Sequence, residues 1–282
     1  MMFMEDVKYP EVALVDADVL RYEVGALTQE HPFLDTGRTP VDYGFLIERL
    51  QNKIDTIIAR AGCRKTIFYF SEGGNFRFDV AKQQGYKANR PPGERPFHWQ
   101  NVGDYIKNNY EYVGVYGREA DDALAERQRT DKNTIICTRD KDLLITPGWH
   151  YRWACGERQK EVPPHYVSDE VAWQNFFYQM LIGDGTDNIP GCGEREEVMW
   201  GGKLQLRRQG IGKKAAINLL QGVSDKWTLY HIVRMEYYKK FDTEWEEKML
   251  ENARLLFVGQ TPEDLFEWSW LDKIWNKDID NG

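Results

Sequence analysis

Short apolar runs alternate along the first two thirds of the chain with stretches of helical period. Glu11-Val-Ala-Leu-Val-Asp16 is a continuous apolar run between two acids, which predicts a short buried strand. A helix is expected over 19–27, with Asp18 as its cap. After a polar loop, apolar residues recur at 45, 46, 50, 54, 57 and 58, a spacing that buries one face of a helix. Thr66-Ile-Phe-Tyr-Phe70, Tyr112-Val-Gly-Val-Tyr116 and Asn133-Thr-Ile-Ile-Cys137 are β-branched and aromatic and predict strands, with one more over 150–153. Further helices are expected over 97–108, after Glu119, and over 171–182, where the Trp and Phe residues read as core packing. Strands alternating with helices predict an α/β fold, with a mostly parallel central sheet flanked by helices.

In such a sheet, ligands collect outside the carboxyl ends of the strands. Asp16, Glu72, Glu119 and Asp140 each stand at or within a few residues of such an end. The densest cluster is Glu119-Ala-Asp121-Asp122, where a strand passes into a helix. Acids at a helix start need no function, because they meet unpaired N–H groups and the positive end of the dipole. Acids at four strand ends on one rim are not explained by capping. Gathered carboxylates repel, and a hard divalent cation resolves the repulsion; an all-oxygen site suits Mg²⁺ or Mn²⁺.

Other chemistries lack their residues. The histidines are scattered without metal-ligand spacing, and Cys63, Cys137, Cys155 and Cys192 form no C-x-x-C pair. There is no G-x-S-x-G elbow and no G-x-x-x-x-G-K-S/T phosphate loop. An acid-lined metal site without a nucleotide loop suggests metal-assisted phosphodiester hydrolysis.

At 282 residues the chain has room for one large domain or two modest ones. No run approaches the ~18 apolar residues of a membrane span, and the first residues lack the basic-then-apolar order of a signal peptide. No membrane partner is expected, and a reduced cytoplasm is the expected compartment, a bacterial host's if the chain is phage-encoded. A net charge of −8 argues at first against a polyanionic partner. Residues 242–282, however, hold eleven acids against four bases, and so carry seven of those eight net charges. The remainder is nearly neutral, even counting the acids a metal would neutralise.

Two further stretches fit a nuclease. Gly183-Asp-Gly-Thr-Asp-Asn-Ile-Pro-Gly191 places Asp184 and Asp187 in a glycine-punctuated turn; turn chemistry alone also accounts for them. Gly210-Ile-Gly212-Lys213-Lys214 opens a helix with exposed N–H groups beside two lysines, which suits a phosphate. Between 82 and 95 the chain turns basic, with Lys82, Lys87, Arg90 and Arg95 set among Tyr86 and a Pro-Pro-Gly run.

In order, these motifs are Leu14-Val-Asp16, Phe70-Ser-Glu72, Tyr86-Lys-Ala-Asn-Arg90, Arg118-Glu119-Ala-Asp121-Asp122, Thr138-Arg-Asp140-Lys-Asp142, Gly183 to Gly191, and Gly210 to Lys214. The set resembles the 5′→3′ exonuclease and flap endonuclease family, above all its small bacteriophage-type members. The resemblance spans residues 16 to about 220 and implies a PIN-like 5′-nuclease domain over 1–182. A helix–hairpin–helix DNA-binding subdomain and an acidic C-terminal region would fill 183–282. It assigns one metal to Asp16, Glu72, Glu119 and Asp121, and a second to Asp140, Asp142, Asp184 and Asp187, with Asp122 near both. Tyr86, Lys87 and Arg90 would act at the scissile phosphate. Lys82 and Arg95 would touch DNA, and Gly210, Gly212, Lys213 and Lys214 would grip a duplex backbone, in the family often with K⁺ held in the turn.

The chain departs from the family pattern in three places. Glu72 stands where the family has Asp, and residues 192–209 intervene between two motifs that the family joins directly, as either a loop or a hairpin on the DNA. The segment 90–109 is short for a threading arch, and Pro91-Pro92-Gly93 discourages helix there. The expected activity is therefore 5′→3′ exonuclease on double-stranded DNA, extending to RNA in RNA–DNA hybrids as in primer removal. A flap endonuclease and a catalytically silent duplex-binding module are the alternatives.

Overall fold

The computed structural model describes residues 9–31, 33, 36–90, 93 and 95–273; Pro91, Pro92 and both termini lie outside them. In chain order the elements are β1 (Val12–Asp16), α1 (Ala17–Gly25), β2 (Thr28–Glu30), β3 (Arg38–Pro40), α2 (Tyr43–Ala61), β4 (Lys65–Gly73), α3 (Arg77–Val80), α4 (Trp99–Asn109), β5 (Tyr112–Tyr116), α5 (Ala120–Thr130) and β6 (Thr134–Cys137). A 3₁₀ turn (Asp142–Ile145) leads to β7 (Gly148–Arg152), β8 (Val162–Val167) and α6 (Asp169–Ile182). Then come β9 (Gly193–Trp200), β10 (Lys203–Gly210), α7 (Lys213–Leu220), α8 (Lys226–Phe241) and α9 (Trp245–Leu256).

Two compact units emerge. The first comprises 1–73, 94–143 and 148–167, and the second 74–93, 144–147 and 168–282. The division thus falls at 168, not at 182/183, and 74–93 joins the second unit. The reason is the apolar face of α6. Phe176 packs on Phe257 and Phe266 at ring separations of 5.4 Å each, and Tyr237 of α8 donates to the Met180 carbonyl at 2.8 Å. Arg77 of α3 is buried, and its guanidinium donates to the Leu255 and Phe257 carbonyls at the end of α9.

The first unit is built on a six-stranded sheet of order β5-β4-β1-β6-β7-β8. All neighbouring pairs are parallel except β7 with β8, which is antiparallel. The continuous apolar runs of β1 and β6 are fully buried at the centre, as expected of strands covered on both faces. Leu46, Leu50, Ile54 and Ile57 of α2 line the core, as their spacing predicted. Helix α1 starts two residues earlier than expected. Asp16, not Asp18, is its N-cap and accepts from Val19 N at 3.2 Å. No helix among the described residues is long and apolar enough to cross a membrane.

Candidate active site

In the parallel part of the sheet the carboxyl ends of β5, β4, β1 and β6 share one edge, and the predicted acids stand along it. Asp16 closes β1. Its Oδ1 caps α1, and its Oδ2 accepts from Thr138 Oγ1, just past β6, at 2.8 Å. Thr138 Oγ1 in turn accepts from Asp140 N at 3.0 Å, and Asp140 Oδ1 accepts from Asp142 N at 2.8 Å. One hydroxyl therefore ties Asp16 to the Asp140–Asp142 turn. Lys141 Nζ lies 3.5 Å from the Asp142 carboxylate.

Past β5 the Glu119 cluster forms the start of α5. Glu119 is the N-cap, and Asp122, buried at the third helical position, accepts from Glu119 N at 3.3 Å to complete a capping box. The structure thus gives Asp122 the capping role. Asp121 points elsewhere: its pKa is raised well above the usual range by burial, then by Asp16, Asp140, Glu119 and Asp122. Asp16 is pushed up to about 7, by burial first, then Asp18, with Asp140 adding to it against the hydrogen bonds from Thr138 and Val19 N. Beyond burial, carboxylates from other strand ends thus raise the pKa of both, Asp140 acting on Asp16, and Asp16 and Asp140 on Asp121.

Two residues that sequence reasoning did not use complete the rim. Asp18, read only as a cap, accepts from Ser71 N at 2.9 Å, and burial raises its pKa most, with Glu119 adding to it. Ser71 Oγ accepts from Ala120 N at 2.9 Å, joining the end of β4 to the start of α5. The signal for Ser71 was its place at the strand end beside Glu72. For Asp18 it was the second acid of Asp16-Ala-Asp18, two residues past the end of β1.

Glu72 sits apart from this group in its chemistry. It lies where the β4–β5 register shifts, an irregularity of the kind that re-aims a side chain. Its carboxylate is ion-paired with Lys107 of α4. Arg95 is stacked on Trp99, with its guanidinium 3.9 Å from the ring centroid.

Among the described residues, no group of three or more Asp, Glu, His or Cys side chains is arranged to hold a metal as it stands. The donor chemistry nevertheless fits a hard cation. The set is all oxygen and largely shielded from water, and after desolvation the influences on Asp121 are other carboxylates.

The second unit holds the other predicted residues. Its 84–90 segment docks on the 184–190 turn. Gln84 donates to the Asn188 carbonyl, Asn89 to the Gly185 carbonyl and Asn188 to the Gly85 carbonyl. Asp187 is the focus. Tyr86 OH donates to it at 2.8 Å, Lys87 Nζ lies 3.7 Å away and Arg90 is ion-paired with it. The two cations expected to face a phosphate are thus held by one carboxylate. Lys87 adopts a left-handed conformation (φ 55°), fixed by its N–H donating to the Asp187 carbonyl at 2.8 Å. Asp184 is buried and accepts from Thr186 N at 2.6 Å, the turn role its spacing allowed. Lys82 N donates to Glu251, which fixes its backbone.

Gly183 and Gly191 close this turn. Both have positive φ, and a Cβ on either would come within 2.2 Å of backbone atoms of the 183–191 turn. Gly212 is different. It is the N-cap of α7 with an ordinary φ of −87°, and a Cβ there would meet nothing. Lys213 and Lys214 open α7 and are exposed.

No family model matches the chain. It is 30% identical over 204 residues to DNA polymerase I of Borreliella burgdorferi, covering 68% of this chain and 20% of the relative. It is 25% identical over 219 residues to DNA polymerase I of Caldicellulosiruptor bescii, covering 70% of this chain and 24% of the relative. The chain therefore spans only a fifth to a quarter of the length of these relatives. Among solved structures it superposes on the bacteriophage T5 flap endonuclease in complex with DNA and metal ions, with a TM-score of 0.60 at 16% identity, over 88% of this chain and 89% of the other. It also superposes on the T5 5′-exonuclease with bound zinc, with a TM-score of 0.56 at 15% identity and the same coverage. In architecture, the chain shares the fold of these 5′-nuclease structures.

Proposed function

We propose that the protein is a divalent-metal-dependent 5′→3′ exonuclease that hydrolyses phosphodiester bonds from the 5′ end of double-stranded DNA, and RNA in hybrids. One observation carries this: buried Asp16 and half-buried Asp121 stand at different strand ends, and desolvation first and then neighbouring carboxylates raise the pKa of each, Asp18 and Asp140 acting on Asp16, and Asp16, Asp140 and Glu119 on Asp121. Such an arrangement is costly to a fold unless it serves a cation.

Asp16, Asp18, Glu119, Asp121 and Asp140 are the residues that would hold Mg²⁺ or Mn²⁺, with Asp142 beside them. Glu72, already paired with Lys107, is the weaker donor. When bound, such a cation supplies charge neutralisation and water activation for the displacement at phosphorus. Thr138 and Ser71 keep the acids in register through the hydrogen bonds above. In the second unit, Lys87, Arg90 and Tyr86 are the phosphate-facing set. Asp187 holds them in place until a phosphate, another anion that accepts from Arg and Lys, takes over the pairing. Asp184 and Asp187 remain candidates for the second metal, and the open N-terminus of α7 at Gly212 and Lys213 is the candidate grip on the duplex backbone.

Exonuclease is preferred over flap cleavage because α4 is committed to the core. Its Val102, Gly103 and Ile106 are buried, and His98 bonds the Val41 carbonyl at 2.7 Å. Too little chain remains between Arg90 and Trp99 for a helical arch. The test uses duplex, flap and RNA–DNA hybrid substrates, labelled at the end, with Mg²⁺ or EDTA. Mononucleotides released from the 5′ end in Mg²⁺ alone are expected. A single cut at the flap junction would favour the flap enzyme, and cleavage indifferent to EDTA would remove the metal from the account.

A further inference from the structure

Arg21 of α1 is a guanidinium buried inside the first unit, only 2% exposed. Burying such a group is costly unless its charge is answered. Its socket lies between α1 and α4. The Trp99 carbonyl accepts from Arg21 Nε at 3.4 Å, and the Trp99 ring centroid lies 3.0 Å from Arg21 Cζ. Phe70 of β4 adds a second ring at 5.4 Å. Gly103 of α4 leaves the room, since a Cβ there would come within 3.0 Å of Arg21 Nε.

Hydrogen bonds leave this cation short of partners: Nη1 is buried and makes none among the described residues. What faces it is Asp18, one helical turn back on α1, whose Oδ1 stands 3.6 Å away. The other Asp18 oxygen, Oδ2, accepts from Ser71 N. One rim carboxylate is therefore held at two points, by the backbone of β4 and by a buried cation. Burial lowers the Arg21 pKa; Asp18 first and then Glu72 raise it, Arg95 lowers it and Asp104 raises it. An apolar side chain of similar length would fill the space between Trp99 and Phe70 without the desolvation cost. The charge of Arg21 thus answers the acids, not the packing.

We propose that Arg21 is a positioning residue of the metal site: it pairs with Asp18, offsets part of the rim's negative charge, and so weakens the site's hold on a divalent cation. This rests on the metal-site reading above. A unit charge acts over several ångströms in partly buried surroundings, so a cation that faces one rim acid reduces the attraction of the whole group for Mg²⁺ or Mn²⁺. Charge and orientation separate here. With the guanidinium gone, Ser71 N still holds Asp18, and what changes is the charge of the rim.

The test is calorimetric titration of Mn²⁺ into the metal-free full chain, without nucleic acid, with thermal melting in EDTA as the folding control. Arg21→Met keeps a long stem in the socket and removes the charge; Arg21→Lys keeps the charge and gives up the planar guanidinium. Arg21→Met is expected to bind Mn²⁺ about tenfold more tightly than wild type, and Arg21→Lys to stay within about twofold of it. A packing role alone would lower the melting temperature of both variants and leave Mn²⁺ affinity where it was. Unchanged or weaker Mn²⁺ binding by folded Arg21→Met would overturn the proposal. If that variant does not fold, Arg21→Lys decides: wild-type affinity supports the charge role, and a tenfold change overturns it. If wild type binds no Mn²⁺ at all, the metal-site reading fails first and this proposal fails with it.

Discussion

Asp16 shows how one carboxylate serves structure and chemistry together. It caps α1 and receives Thr138, hydrogen bonds that favour its charge, yet burial first and then Asp18 and Asp140 push its pKa up to about 7 from the ordinary 3.8. A carboxyl that holds its proton longer in the folded state gives full stability at acid pH and loses it as pH rises from about 4 to 7. Metal-free Asp16→Asn, which keeps the cap, is therefore expected to melt several degrees above wild type at pH 8 and close to it at pH 4. Excess Mg²⁺ should erase that gain by stabilising only the wild type. Melting curves at the two pH values check this; a variant less stable than wild type at pH 8 would mean that the acid is paired. Asp187 is governed by the opposite local logic. Cations and a hydroxyl surround it, so its charge is satisfied from within its own unit. The family resemblance gave Asp16 and Asp187 the same ligand role, because a motif records which groups are acidic and not which neighbours they meet.

At the scale of elements, the turn at 183–191 and the start of α7 use glycine for different reasons. Gly183→Ala drives a Cβ into the Ile189 carbonyl at positive φ, and is expected to cost more than about 2 kcal/mol. Gly212→Ala has space and an ordinary φ, so it should fold normally and instead weaken duplex binding, since the bare Cα leaves room only for a ligand. Thermal melts and binding isotherms on the two variants separate these outcomes. The strands β1, β5 and β6 were legible because their apolar runs are continuous and short, and α2 because its stripe is regular. The antiparallel β9–β10 hairpin was not, since Glu-Arg-Glu-Glu lacks strand composition and only the Gly201-Gly202 pair marked the turn. Helix α8 carried a readable stripe in Leu229, Val233, Tyr237 and Phe241, all buried. Aromatic and basic residues on its other faces hid that stripe. The capping box shows the same limit. The sequence placed Glu119 to Asp122 at a helix start, but only the backbone revealed that Asp122 turns back to cap it while Asp121 faces the other acids.

For the molecule as a whole, charge distribution reconciles an acidic protein with the anionic substrate proposed for it. The surplus acids lie mostly beyond residue 242, while the sheet edge concentrates acids that a cation converts from repelling DNA to binding it. Wild-type duplex binding is accordingly expected to strengthen with Ca²⁺ or Mg²⁺ relative to EDTA at equal ionic strength. The central claim is that the acids at the ends of β1, β5 and β6 perform phosphodiester hydrolysis through a bound divalent cation. The most direct measurement is single-turnover cleavage of a 5′-ended duplex in Mg²⁺ by wild type, Asp121→Asn and Asp140→Asn, with duplex affinity measured in parallel in Ca²⁺. Both variants are expected to lose cleavage by at least about a thousandfold, on the order of 4 kcal/mol, while duplex affinity stays within a few-fold. Wild-type cleavage rates in either folded variant would contradict the account.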